Sequence, residues 1–137
     1  MRYAAGRAGR TYVLRLLPGQ DVRATLRDHA IAHDVAAAAI VSAVGSLNRA
    51  CLRYAGRDEG SVTTGDLEVV SLSGTLSGHG MHLHMSVADR DGHMSGGHQL
   101  EGCLVRTTLE LLIQEIDGLR MRREKDPGTG YDELVVE

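Results

Sequence analysis

The sequence predicts an α+β domain built on a central, mainly antiparallel sheet. Three observations carry that expectation. One segment has helical spacing, and a succession of strand-like segments follows it. Glycine supplies 17 of 137 residues, which favours turns, bulges and close backbone approaches over long helices. Apolar residues reach 42% but aromatics only 3%, with no Phe and no Trp, so the core must come from Val, Leu, Ile, Met and Ala. A chain of this length is expected to fold as one domain, burying roughly 68% of its unfolded surface.

Taken in order, Thr11–Leu16 reads as a strand closed by Pro18-Gly19. From Asp21 to His33, Val22, Leu26 and Ala30 recur every four residues, which predicts an amphipathic helix with Asp21 as its N-terminal acid. Ala36–Val44 is a continuous apolar run that reads as a buried strand ending at Gly45, with Asn48–Tyr54 as its partner strand and Asp58–Ser61 as loop. Asp66–Leu76 is a strand whose apolar positions change parity between Val69 and Val70, predicting a bulge or burial on both faces. Met81–Asp89 alternates most clearly. Cys103–Ile116 fits either a helix or a strand, and the alternation of Val105, Thr107, Leu109 and Leu111 favours strand. Leu119–Lys125 alternates again, and Leu134–Val136 is expected to close an edge.

Charge and composition exclude several functions. The net charge of −3 rules out an overall polycation, and the lack of Phe and Trp removes any row of rings on which bases could stack. Residues 1–137 read as a single domain, with residues 1–10 a basic arm and residues 127–137 a C-terminal tail. A basic knot at Arg120, Arg122, Arg123 and Lys125 is the candidate nucleic-acid contact. No apolar run approaches the ~20 residues that span a bilayer, and no long apolar stretch follows Met1–Arg10. Cys51 and Cys103 belong to no CxxC pair and read as reduced thiols. These features predict a cytoplasmic protein without a membrane partner.

Five of the seven histidines fall between positions 79 and 98. On the Met81–Asp89 strand, Met81, Leu83, Met85 and Val87 form one apolar face. His82 and His84 project in parallel from the other, beside the small Gly80 and Ser86. Asp91-Gly92 marks a hairpin turn. A three-residue loop of Arg90, Asp91 and Gly92, with Gly92 left-handed, places His98 opposite His84 on the same face. A two-residue turn sends His98 to the opposite face unless a bulge at Gly96-Gly97 restores parity. His82, His84 and His98 would then form an open ligand set for a divalent metal. Zinc is the first expectation, and nickel, copper or ferrous iron suit the same donors. Glu101, Glu68 and Glu110 are candidate proton shuttles, and Arg53 or Arg106 could clamp a carboxylate. Gly74–Gly80 lacks the Lys of a phosphate-binding P-loop.

Three segments resemble a known family: Gly45–Arg53, Leu67–Gly74, and His82–Gly92 with Gly96–Gly102. Together they resemble the plant and prokaryote conserved (PPC) domain, over about Thr11–Ile116. The domain occurs in AT-hook nuclear proteins of plants and free-standing in bacteria and archaea. The resemblance implies an α+β fold of the free-standing prokaryotic type, a homotrimer, and DNA-associated regulation. It also implies a metal site at the histidines matching His82, His84 and His98, a pattern similar to the three-histidine zinc site of acetolactate decarboxylase. Plant members contact DNA through a separate Arg-Gly-Arg-Pro hook, a motif these 137 residues do not contain. Two functions follow as expectations. One is a trimeric, weakly DNA-associated regulator carrying a three-histidine metal site. The other is a small zinc-type metalloenzyme or ligand-binding protein acting on a small carbonyl or carboxylate compound.

Overall fold

A computed structural model describes residues 3–137. Met1 and Arg2 of the basic arm lie outside the described residues. The elements run β1 (Arg7–Leu16), α1 (Val22–Ala32), β2 (Ala38–Arg53), β3 (Ser61–Ser77), β4 (Gly80–Ala88), β5 (Met94–Gln99), β6 (Leu104–Asp117), β7 (Met121–Lys125) and β8 (Asp132–Val136). Six strands make one sheet in the order β1-β6-β2-β3-β4-β5, and every pairing in it is antiparallel. The sheet curls until β5 also meets the end of β2, pairing Leu52 with Gln99 and Arg53 with His98. Among the described residues, no helix is long and apolar enough to cross a membrane.

The helix forms where the apolar spacing predicts it. Val22, Leu26 and Ala30 are all fully buried. Asp21 is the N-cap, its carboxylate accepting from the Ala24 amide at 2.9 Å, which satisfies one of the helix's orphan donors. Its second oxygen accepts from the Gly102 amide, so one side chain ties the helix start to the turn before β6. The helix covers a core of Leu16, Leu47, Leu67, Leu83, Leu109, Leu111 and Ile113, drawn from nearly every strand of the sheet.

Ala36–Val44 and Asn48–Tyr54 are not two strands but parts of one, the 16-residue β2. Gly45 does not turn the chain. A Cβ there would sit 2.1 Å from the Thr108 carbonyl oxygen, so glycine permits a close approach of β2 to β6 instead. The neighbours of β2 along the sheet are β6 and β3, the latter beginning at Ser61. The β3–β4 register shifts between Val69 and Ser71, the parity change read from the sequence, with Val69 buried and Val70 exposed. Cys103–Ile116 resolves as strand, β6. Leu134–Val136 closes no edge of the main sheet. It lies in β8, which pairs with β7 as a separate two-stranded hairpin. That hairpin is held by the Met121 amide donating to Ala36 O and by the Ser77 hydroxyl donating to Met121 O, each at 2.9 Å. The arm read over residues 1–10 enters β1 at Arg7, and the tail read over 127–137 carries β8. Both thiols are free, and burial pushes the Cys103 thiol up.

Candidate metal centre

β4 alternates as its sequence dictates: Met81, Leu83, Met85 and Val87 are buried, while His82 and His84 are exposed on the other face. The β4–β5 hairpin sets the third histidine. His84 pairs with His98, Met85 with Gly97 and Ala88 with Met94, with no irregularity at Gly96-Gly97. The loop therefore has three residues, and Gly92 adopts φ +81°, the left-handed conformation that this loop length needs. Asp89 stabilises the turn, its carboxylate accepting from the Asp91 and His93 amides at 2.9 Å each, which holds its pKa down.

The three imidazoles converge. Each offers a nitrogen within 4.8 Å of the others, and the His82 and His84 Nε2 atoms are 3.1 Å apart. Two nitrogens bound to one tetrahedral zinc at 2.0–2.1 Å would be separated by about 3.3 Å, so the spacing suits a shared ion. His98 Nδ1 is buried and has no hydrogen-bond partner, a polar atom left for an ion or ligand to satisfy. Burial, reinforced by His82, Arg53, Arg23 and His84, pushes the His98 pKa down to about 4. Burial first, then Arg123 and His84, lowers that of His82. Neutral imidazole is the form that ligates metal. The residues present fit a divalent ion with an open position.

The surroundings come from three places. A pocket of about 540 Å³ opens beside His82 and His98, walled by Arg23 of α1, Arg53 at the end of β2, and Arg123, Tyr131, Asp132 and Glu133 of the β7–β8 hairpin. Arg23 is fixed by donating to the Met81 carbonyl at 3.1 Å and the Gln99 carbonyl at 3.0 Å. Arg123 donates to Thr75 Oγ1 at 2.8 Å. The Arg53 guanidinium lies 5.7 Å from the Tyr131 ring centroid.

The carboxylates expected as proton shuttles lie elsewhere. Glu101 is exposed and paired with Arg27. Glu68 and Glu110 are exposed on β3 and β6 and line no pocket beside the histidines. The carboxylate beside His82 is Glu133, which lines two hollows that also contain His82 and Arg123. Sequence reasoning passed over it because its segment read as a tail. Arg53 stands at the pocket, whereas Arg106 is ion-paired with Asp66 at 3.1 Å. The basic knot is split. Arg120 and Lys125 are exposed, Arg122 pairs with Glu124 and Glu137, and Arg123 turns into the pocket. Asp89, Asp91 and His93 also cluster, around the turn that Asp89 organises.

Residues 3–117 match the model of the Plants and Prokaryotes Conserved (PCC) domain. The chain belongs to this family. The PCC domain described here is 44% identical over 128 residues to the bifunctional protein GlmU of Synechococcus sp. (strain JA-3-3Ab), covering 93% of this chain and 21% of that protein. The chain thus spans about a fifth of the length of the curated relatives it matches. Among solved structures, a hypothetical protein from Salmonella enterica superposes with a TM-score of 0.94 at 46% identity, covering 99% of this chain and 98% of that one. A metal-containing protein from Archaeoglobus fulgidus superposes with a TM-score of 0.84 at 25% identity, covering 98% and 99%. The PCC match ends at residue 117, so Arg123, Tyr131, Asp132 and Glu133 stand outside the matched span.

Proposed function

We propose that this PCC domain is a small metalloprotein. It holds one divalent ion, zinc foremost, on His82, His84 and His98, and it binds a small carbonyl or carboxylate compound beside that ion. The convergence of three imidazoles on one sheet face, at the edge of a pocket, carries the reading. A bound zinc ion supplies Lewis acidity and an open coordination position. The chain's own residues do the rest. Arg53 meets a ligand carboxylate at the mouth of the pocket, with the planar fork suited to bidentate contact. Glu133 is the carboxylate positioned to take or give a proton. The metal content of the A. fulgidus relative agrees with this reading.

Elemental analysis of protein purified without a histidine tag tests it. About one metal atom per chain is expected, falling sharply in His98→Ala. Metal well below one atom per chain, even after reconstitution with zinc, overturns the proposal.

Assembly as a homotrimer is supported by Val13, Val44 and Val70. By register Val13 and Val44 share the sheet face opposite the core, and with Val70 they are 79%, 58% and 50% exposed. Contact with duplex DNA draws on Arg120 and Lys125, the exposed cations of the basic knot. Two such groups per chain support only weak contact, seen as gel retardation at low salt that disappears steeply as salt rises.

A further inference from the structure

The pocket beside the histidines has a charge imbalance that the metal reading does not explain. The whole chain is acidic, with a net charge of −3. Yet Arg23, Arg53 and Arg123 all line this one hollow, and none of them makes an ion pair among the described residues. Each is half-buried. Burial lowers the pKa of both Arg23 and Arg123, and the nearby acids, Glu101 and Asp21 for Arg23 and Glu133 for Arg123, offset this only in part. Two carboxylates, Asp132 and Glu133, share the wall, and a divalent ion would widen the positive excess.

Partly desolvated cations that line one hollow without an ion pair are suited to an anion in common. The fold also fixes these groups in advance. Arg23 is held by two backbone carbonyls, Arg123 by Thr75, and Arg53 lies beside His98 through the β2–β5 pairing and against Tyr131. Preorganised guanidinium forks are the usual means of holding carboxylate or phosphate.

We propose that Arg23, Arg53 and Arg123 form an anion subsite, and that the ligand of this pocket is a small organic compound with two anionic ends. One end meets the ion; the other, a carboxylate or a phosphate, is held by the guanidinium groups. The metal contact rests on the reading proposed above, whereas the arginine subsite stands on its own residues.

Calorimetric titration at low salt tests the proposal, with zinc content measured before and after. Succinate is compared with butyrate, and phosphoglycolate with glycolate. At least one doubly anionic probe is expected to bind tenfold or more tightly than its singly charged partner, and the favoured pair tells carboxylate from phosphate. Arg53→Gln and Arg123→Gln should each erase most of that preference while zinc stays at its wild-type level. Arg23 is left intact because its bonds to Met81 and Gln99 hold the backbone. Equal binding of single and double anions, or a preference that survives both substitutions, overturns the proposal. The same titrations on metal-free protein separate the two readings. A preference that depends on the arginines but needs no zinc supports the subsite and removes the metal from it.

Discussion

Gly74 offers a sharp test of how packing positions the histidines. It lies on β3 opposite Leu83, between His82 and His84 of β4, with φ +136°. A Cβ there would sit 2.0 Å from the His82 carbonyl oxygen and 3.0 Å from Leu83 Cα. Gly74→Ala therefore carries two penalties: about 1–3 kcal/mol for a conformation that L-residues avoid, and about 1–3 kcal/mol for overpacking. Unfolding entropy of ~2.1 cal/mol/K per residue makes each kcal/mol worth about 3.5 °C in a domain this size, so the melting temperature should fall by roughly 7–20 °C. Gly92→Ala is the matched control, because it also has positive φ (+81°) but nothing within 4 Å of the added Cβ. It should lose only ~1–2 kcal/mol, or about 4–7 °C. Calorimetric melting of both variants gives the comparison, and zinc titration should show weaker binding in Gly74→Ala alone. Equal losses in the two variants would refute the close-approach argument.

Three more outcomes follow from the same structure. Zinc at a hundredfold excess over its Kd should stabilise the wild type by about 2.7 kcal/mol, roughly 9 °C, and a chelator should reverse this in the wild type but change nothing in His98→Ala. Asp21→Ala removes both the helix cap and the bond to the Gly102 amide, so urea unfolding should show a loss of roughly 2–4 kcal/mol. His29 packs against Tyr12 and His33, its Nε2 is buried without a partner, and burial followed by His33 lowers its pKa while Glu115 partly opposes the shift. The unfolded chain thus binds this proton more readily. The stability His29 contributes is complete above pH 6.5 and is lost as pH falls toward its lower folded value. A urea-midpoint profile of His29→Gln should be flatter than wild type on the acid side, and an identical profile would count against the assignment.

The sheet and the clustering of the three histidines were legible in the sequence because strand periodicity is strict. Two histidines two apart on β4 must share a face, and Asp91-Gly92 restricted the return register to a few choices, one of which is observed. The helix was equally readable from Val22, Leu26, Ala30 and the capping Asp21. What escaped depended on distance. Gly45 has the local look of a turn, and only the Thr108 carbonyl lying against it shows that β2 runs on. Arg122 and Arg123 are adjacent in a basic run, but on a strand neighbours point to opposite sides, so one pairs with Glu137 and the other enters the pocket. Glu133 carries no local mark of a role. Its position follows from the folding back of β8 on β7, which no short-range pattern encodes.

The β7–β8 hairpin separates two tasks that enzymes and receptors often entangle. The histidines sit on strands inside the family-matched span, while four of the eleven residues of the pocket wall hang on a ribbon outside it. A two-stranded ribbon is marginal by itself, so its placement relies on a few ties to Ala36, Thr75 and Ser77. Those ties reach only one side of the ribbon, which leaves Tyr131, Asp132 and Glu133 free to be replaced without disturbing the sheet. A protein engineer grafting a different ribbon can thus change what the pocket recognises while the three histidines stay in place.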